Sequence, residues 1–533
     1  MNVQMIVHTL ADIYSMSQQS KVFPSISLIG HKHLEAVEIQ AQLECLRAGG
    51  VGYGDRLLIL ADPSTATVAT MVAAWHIGAV VCPLPPDTSP DVLRRVAEDC
   101  GARHALHPAH QVWTAFETSR NSVRRFAFRT PPRVTGSDLA LIIYTSGSTG
   151  APKGIMLSHT NVLSALRAIR TYLGLLPEDS ILCIPPLHFD YGLYQVLLGF
   201  YTGCSVILAP PAANPLKVLQ WINALAPTIL PIVPALGTGL AQLGQALRQT
   251  HGSVRLITNT GGHLPEQVIR NLRTVFPQAQ VMPMYGLTES KRALFMPPEL
   301  VTQRAGSVGK PMPGLEAKVF AEGRDGHDMC TYRETEPHEI GVLYVRGSSV
   351  MQGYTSAESG AGARLIPGDY RDDNWLATGD LFSVDEEGFF YFRGREKDLI
   401  KQGGYCLYPR DIEAVVEKHE HVIGSAVIGT TDKNGDEIAC LFIRTIGEIT
   451  RETFMTWLRQ QFDTHYLPRR LEFVDEWPIN RNGKIDRTAL RQSLLTNASL
   501  PPAQFQHERD RTVDFPATEI FQDNDSRYRF ERR

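Results

Sequence analysis

The chain has no uninterrupted apolar stretch of the roughly 18 residues that a membrane-spanning helix requires. Its richest run, Val196 to Pro210, is broken by Gly, Tyr, Thr and Cys and reads as a buried helix–strand piece. It has no Cys-x-x-Cys pair. Its eight cysteines (Cys45, Cys82, Cys100, Cys183, Cys204, Cys330, Cys406 and Cys440) are scattered, which suits reduced thiols and argues against a disulfide framework or a zinc cluster. It has no basic stripe: 52 Lys and Arg stand against 56 Asp and Glu, a formal charge of −4, so nucleic acid is not an expected partner. Its first residues lack a basic region followed by a long apolar run, so no signal peptide is expected and a cytoplasmic location is. What remains is ordinary for a globular protein, 43% hydrophobic and 20% charged over 533 residues. That is too long for one compact domain.

The pattern along the chain is α/β. Gln42–Arg47 reads as helix, Arg56–Leu60 as strand, Thr65–Ile77 as helix and Ala79–Leu84 as strand, and similar alternation through 180–285 points to a largely parallel sheet. The Gly49-Gly50-Val51-Gly52-Tyr53-Gly54 cluster follows a helix and precedes a strand, the reverse of a dinucleotide fingerprint; a helix C-cap and turn accounts for it better. From about 303 the texture becomes short strands between turns, a β-rich subdomain. Residues 355–374 read as a Gly/Ser/Asp-rich loop. Residues 410–493 carry a second helix–strand set, enough for a small α+β domain, and from Asn497 the chain is polar and aperiodic, a mobile or wrapped tail.

One segment carries chemistry openly. The apolar run Leu139–Tyr144 empties into Thr145-Ser146-Gly147-Ser148-Thr149-Gly150-Ala151-Pro152-Lys153-Gly154. Backbone N–H groups, hydroxyls and one cation with almost no bulk are what wraps phosphate oxygens. The Walker A pattern does not fit, and Pro-Lys-Gly behind a hydrophobic strand is not linker chemistry. The string resembles the phosphate loop of the AMP-forming adenylating superfamily, which includes acyl-CoA synthetases, amino-acid adenylation domains and luciferases.

Further blocks follow in that family's order. Thr260-Gly261-Gly262 resembles its glycine-rich wall of the adenine and substrate pocket, although it could be a plain strand-end turn. Tyr285-Gly286-Leu287-Thr288-Glu289 combines an aromatic face, a glycine, a hydroxyl and a carboxylate. The resemblance implies Mg²⁺ on Glu289 and the α-phosphate on Thr288. Asp380 of Thr378-Gly379-Asp380 and Arg395 match the ribose-binding pair. Lys397 matches the interdomain hinge. Lys484 of Asn482-Gly483-Lys484 matches the adenylation lysine, projected by a tight turn. The implied architecture is a large N-terminal domain (1–396) of layered α/β subdomains plus the β-rich part, a small mobile C-terminal α+β domain (397–495) and a tail (496–533). The implied reaction takes ATP, Mg²⁺ and a carboxylic acid to an acyl-adenylate and pyrophosphate. Lys484, Thr288 and Glu289 are the catalytic set.

Pro186-Leu187-His188-Phe189-Asp190-Tyr191-Gly192-Leu193-Tyr194 bears on which acid is used. Phe followed by Asp is the pattern of amino-acid adenylation domains, where the aspartate pairs the substrate's ammonium; some acyl ligases of polysaccharide export systems carry Phe-Asp-Tyr-Gly. A buried carboxylate needs a partner, so Asp190 argues for a cationic amine on the substrate. Local hydrogen bonding to backbone is the alternative. The acid-binding residues are then Phe189, Asp190, Tyr191, Tyr194, Thr260, Gly261 and Leu287, with Asn259 and His263 as further candidate walls. An amino acid is favoured, small or proline-like. No carrier-protein module is present, so the product passes to a phosphopantetheine thiol on a separate carrier protein or to CoA, the carrier being favoured. The alternatives are an acyl-CoA ligase for a short-chain or fatty acid, and an inactive nucleotide-binding scaffold.

Overall fold

The computed structural model describes residues 8–17, 24–30, 33–116, 132–146, 152–210, 214–324, 330–356, 365–367, 373–432, 435–447, 449–480 and 484–496. Among the described residues two large sheets and a small further unit stand out. The first sheet has seven strands in the spatial order Gly353–Tyr354, Pro152–Ser158, Leu139–Ser146, Val80–Leu84, Arg56–Leu60, His104–His107 and Val112–Ala115. Its middle strands are parallel and read as continuous aliphatic runs because both faces are covered. Ser64 caps the helix Thr65–His76 by accepting from Thr67 N–H, and that helix is buried from Thr67 to Trp75. It is apolar all round because it lies between layers. Gly49 closes the helix Ala36–Ala48 as its C-cap, so the early glycine cluster is a turn, as its order indicated.

The second sheet begins with six parallel strands: Ile26–Leu28, Ser205–Leu208, Ser180–Cys183, Ile229–Ile232, Leu256–Asn259 and Gln280–Tyr285. It does not stop there. Gln280–Tyr285 pairs antiparallel with Leu294–Phe295, which pairs with Ser307–Pro311, and the path runs on through Phe390–Arg395, Asn374–Val384, Gly341–Gly347, Leu315–Arg324 and Cys330–Glu334. The β-rich part is therefore a continuation of this sheet.

The third unit is α+β. Val422–Thr431 and Glu437–Thr445 pair antiparallel, Arg470–Phe473 joins in parallel, and the helices Pro409–Val416, Arg451–Gln461 and Arg487–Thr496 accompany them. It has its own core, including Ile412, Val416, Leu441, Phe454 and Leu458. A short turn, Glu396–Asp398, links it to the long sheet.

One expectation, the loop at 355–374, needs correction, and the structure adds two details. The phosphate segment is the connection of a β-hairpin, because Leu139–Ser146 pairs antiparallel with Pro152–Ser158. Residues 355–374 include a strand, Leu365–Pro367, on the edge of Asn374–Val384. The helix Arg487–Thr496 follows the Lys484 segment and belongs to the small unit. Gly147, Ser148, Thr149 and Gly150, and the tail from 497, lie outside the described residues.

Candidate active site

The ends of the parallel strands, the phosphate hairpin and the small unit converge on one place. In the hairpin, register sets Thr145 opposite Lys153 and Tyr144 opposite Gly154. A β-carbon on Gly154 would come within 2.6 Å of Thr355 and 2.9 Å of Tyr144, so only glycine lets the hairpin lie against the strand Gly353–Tyr354. Tyr144 donates to Asp99 at 2.7 Å, and the Thr355 hydroxyl donates to the same carboxylate. The hairpin's root is thus fixed from both sides.

Glu289 is half-buried and accepts from the Tyr354 hydroxyl at 2.8 Å. Lys153 places its ammonium 5.8 Å from the centre of the same ring. The lysine of the phosphate hairpin and the carboxylate expected to hold a metal therefore meet across Tyr354, a residue the sequence reading did not single out. Among the described residues no group of three or more His, Cys, Asp and Glu could cage a metal ion. A single carboxylate beside a phosphate site suits Mg²⁺, which keeps waters and takes its other ligands from phosphates.

Asp380 is buried at 5% exposure. Its Oδ2 accepts from Tyr285 at 2.6 Å and its Oδ1 lies 3.2 Å from Arg395 Nε, and cross-strand register sets Asp380 opposite Arg395. A carboxylate has about four acceptor sites, so two remain for a diol. Burial raises the Asp380 pKa, opposed by Arg395 and Tyr285. The Tyr285 phenol is pushed well up, first by burial and then by Asp380, so it stays a donor.

Lys484 enters from the small unit. Its backbone is clamped: Asn480 N–H donates to its carbonyl at 2.8 Å, and its own N–H donates to Asn480 Oδ1 at 3.1 Å. Just beyond it, Arg487 donates to the Val427 carbonyl at 2.8 Å and to buried Glu413 at 2.6 Å. The side chain then crosses to the large unit. A β-carbon on Gly261, which sits at φ +86°, would stand 3.0 Å from Lys484 Cε, and the ammonium lies 6.0 Å from the Phe189 ring centre. Burial, then Arg395, lowers the Lys484 pKa, while Asp190 and Asp380 pull it back. Gly262 lies beside Pro234, where a β-carbon would meet the ring at 3.1 Å.

Of the expected acid-binding residues, Phe189 and Gly261 flank the Lys484 side chain and Asp190 lies within its electrostatic reach; Tyr191, Tyr194, Thr260 and Leu287 were the other expected members. Asp190 is the first residue of the helix Asp190–Thr202, where the helix dipole favours its charge. Its cation comes from the chain: Lys291 Nζ stands 3.9 Å from Asp190 Oδ2, with side chains 1% and 7% exposed. The carboxylate therefore does not need an ammonium from the substrate. Tyr191 uses its hydroxyl on Thr258, 2.8 Å from its carbonyl and 2.7 Å from its side-chain oxygen, leaving the ring face to Arg292. Asn259 donates to the Gly262 carbonyl at 3.1 Å and shapes the turn. His263 turns to the small unit, 3.9 Å from Glu417, and is not a pocket wall. Thr288 is half-buried beside Glu289, and Lys397 is exposed in the linking turn. Lys291 and Arg292 were missed, although two successive cations inside Ala293-Leu294-Phe295-Met296 and Tyr285-Gly286-Leu287 are an oddity visible in the sequence.

Sequence comparison agrees with this geometry. The AMP-binding enzyme family matches residues 44–355, and the AMP-binding enzyme C-terminal domain matches residues 411–484. The 3-hydroxybenzoate–CoA ligase of Aromatoleum sp. (strain CIB) is 26% identical over 510 residues, 90% of this chain and 94% of that protein. The long-chain-fatty-acid–CoA ligase of Bacillus subtilis (strain 168) is 30% identical over 369 residues, 68% of this chain and 62% of that protein. Among solved structures, O-succinylbenzoate coenzyme A synthetase from Bacillus subtilis, in complex with ATP and magnesium ion, aligns with a TM-score of 0.73 at 25% identity, over 91% of this chain and 99% of that one. The chain belongs to the AMP-binding enzyme family. It is an AMP-forming acid–thiol ligase. Among the described residues no helix is long and apolar enough to cross a membrane.

Proposed function

We propose that this enzyme joins a short carboxylic acid to coenzyme A through an acyl-adenylate. The observation that carries the reading is the arrival of Lys484, from a unit with its own core, between Gly261 and Phe189 of the large unit and within electrostatic reach of Asp380.

In the first half-reaction a carboxylate oxygen attacks the α-phosphorus of ATP, and the bond to pyrophosphate breaks. Like charges must approach, so cations placed in advance lower the barrier. Asp380, held by Tyr285 and Arg395, takes the ribose hydroxyls. Lys153 and the hairpin at 145–153 hold the β- and γ-phosphates, and Thr288 contacts the α-phosphate. Gly286 lets the adenine approach Tyr285. Lys484 bridges the carboxylate and the phosphate. Glu289 would hold Mg²⁺, which would supply charge neutralisation on the phosphates. In the second half-reaction the thiol sulfur attacks the acyl carbon and AMP leaves. Lys484 must withdraw for the thiol to enter, and the turn Glu396–Asp398 with Lys397 is where the small domain (397–495) rotates against the large one (1–396), a gating motion of the usual kind.

Coenzyme A is preferred to a carrier protein because the relatives are named as CoA ligases and because Lys291 removes the argument for an amino acid. The test is pyrophosphate release with ATP and Mg²⁺ across short, aromatic, fatty and amino acids, in hydroxylamine and then in coenzyme A. Turnover in both, with thioester formed in the second, is expected. Hydroxamate without any CoA thioester would move the acceptor to a carrier protein.

A further inference from the structure

The loop from Tyr285 to Leu294 serves two ends of the site. Ala293 N–H closes it by donating to the Tyr285 carbonyl at 2.9 Å. The turn is tight: a β-carbon on Gly286 would lie 2.1 Å from the Lys291 carbonyl oxygen. Thr288 and Glu289 occupy its first half; Lys291 and Arg292 occupy its second. Lys291 sits at φ +68°, a left-handed conformation that costs a side-chain-bearing residue energy and that gathers at functional sites.

The second half is unbalanced. Lys291 is 1% exposed and Arg292 5% exposed. Asp190, at 3.9 Å from Lys291, is too far for a hydrogen bond. Lys291 Nζ, Arg292 Nε and the Tyr194 hydroxyl are buried without a hydrogen-bond partner. The Lys291 ammonium stands 5.2 Å from the Tyr194 ring centre and the Arg292 guanidinium 4.7 Å from that of Tyr191. Lys291, Arg292 and Tyr194 therefore leave three buried polar atoms unsatisfied in one neighbourhood, with Asp190 the nearest carboxylate to Lys291. Buried polar groups in native proteins have partners. Asp190 follows Phe189, the ring under the Lys484 ammonium, so the cluster adjoins the place where the reacting carboxylate must lie.

We propose that Lys291 and Arg292 bind a second carboxylate on the substrate, making the acid a short dicarboxylic acid; this rests on the ligase reading above. One further negative charge balances the two cations against Asp190. The guanidinium stacked on Tyr191 keeps its N–H edge for a carboxylate, and the Tyr194 hydroxyl adds a donor. A long alkyl chain would have to lie against these unpartnered groups and would satisfy none of them.

The experiment compares matched acids with the wild-type enzyme by pyrophosphate release: malonate with propanoate, succinate with butanoate, glutarate with pentanoate, and alanine as the amine control. At least one diacid should exceed its monoacid by about tenfold or more in kcat/KM, the scale of a charge-assisted bidentate contact. Arg292→Leu should collapse that ratio toward one while hydroxamate formation from the monoacid persists. Turnover of monoacids in preference to every diacid would overturn the inference and leave the ligase reading standing, as would an unchanged ratio in Arg292→Leu. A preference for alanine over propanoate would also overturn it, by returning Asp190 to an ammonium. If no acid of any class releases pyrophosphate, both readings fall together. The wild-type comparison decides the matter even if Arg292→Leu does not fold.

Discussion

The two ends of the site are built on opposite principles. At the end assigned to the nucleotide each carboxylate meets a protein partner with capacity to spare: Asp380 is held by Tyr285 and Arg395, and Glu289 by Tyr354. At the acid end the charges are crowded and underpaired, with Lys291 beyond hydrogen-bond reach of Asp190 and Arg292 Nε without a partner. The first arrangement is preorganised for a ligand that is the same in every turnover. The second leaves buried polar groups unmatched, and the proposed second carboxylate of the substrate would complete it. Specificity is therefore to be sought where polar groups are left over.

The largest effect expected from breaking this comparison is at the junction of the two ends. Lys484→Ala should lower acyl-adenylate formation by about 10²–10³-fold, the scale of removing one transition-state donor. Its melting temperature should barely move, because the fold of the small unit rests on other residues. Asp380→Asn should act on the nucleotide end alone. Losing a charged acceptor for the ribose is worth about 1.5–3 kcal/mol, which should raise the KM for ATP by about tenfold to a hundredfold while the preference among acids stays put. Gly261→Ala adds a β-carbon at φ +86° against the lysine stem. Strain of about 1–3 kcal/mol and a displaced ammonium should reduce kcat about tenfold, without the change in acid preference that Arg292→Leu produces.

The smallest effect is at Lys291. Lys291→Met keeps most of the side chain's length without its charge, and should lower the diacid-to-monoacid ratio by less than Arg292→Leu does, because an ammonium supplies a point charge where a guanidinium supplies a planar edge of donors. A ratio unchanged in Lys291→Met would detach Lys291 from substrate recognition.

The nucleotide end was the legible one. Lys153, Glu289, Asp380, Arg395 and Lys484 sit in short strings whose residue types have a plain chemical purpose, and the chain folds so that Asp380 faces Arg395 and Lys484 reaches Gly261. Strand boundaries were also close, because apolar runs such as Arg56–Leu60 and Gly341–Gly347 are bounded by turn residues. The acid end was less legible. Asp190 was matched with a substrate amine because its partner lies 101 positions further on and reaches it only through the hairpin between Gln280–Tyr285 and Leu294–Phe295. Tyr354 escaped notice for a similar reason: its contact with Glu289 depends on a two-residue strand added to the phosphate hairpin. The joining of the β-rich part to the parallel sheet rests on pairings of two residue pairs each, too short to leave a period.

The most direct test follows the fate of ATP. Wild-type and Lys484→Ala enzymes would be incubated with the preferred acid, Mg²⁺ and coenzyme A, and nucleotides and thioester separated by mass spectrometry. AMP and acyl-CoA in equal amounts from the wild type, both falling by about two orders of magnitude or more in the variant, is the predicted result. Release of ADP in place of AMP, or a variant as active as the wild type, would contradict the account.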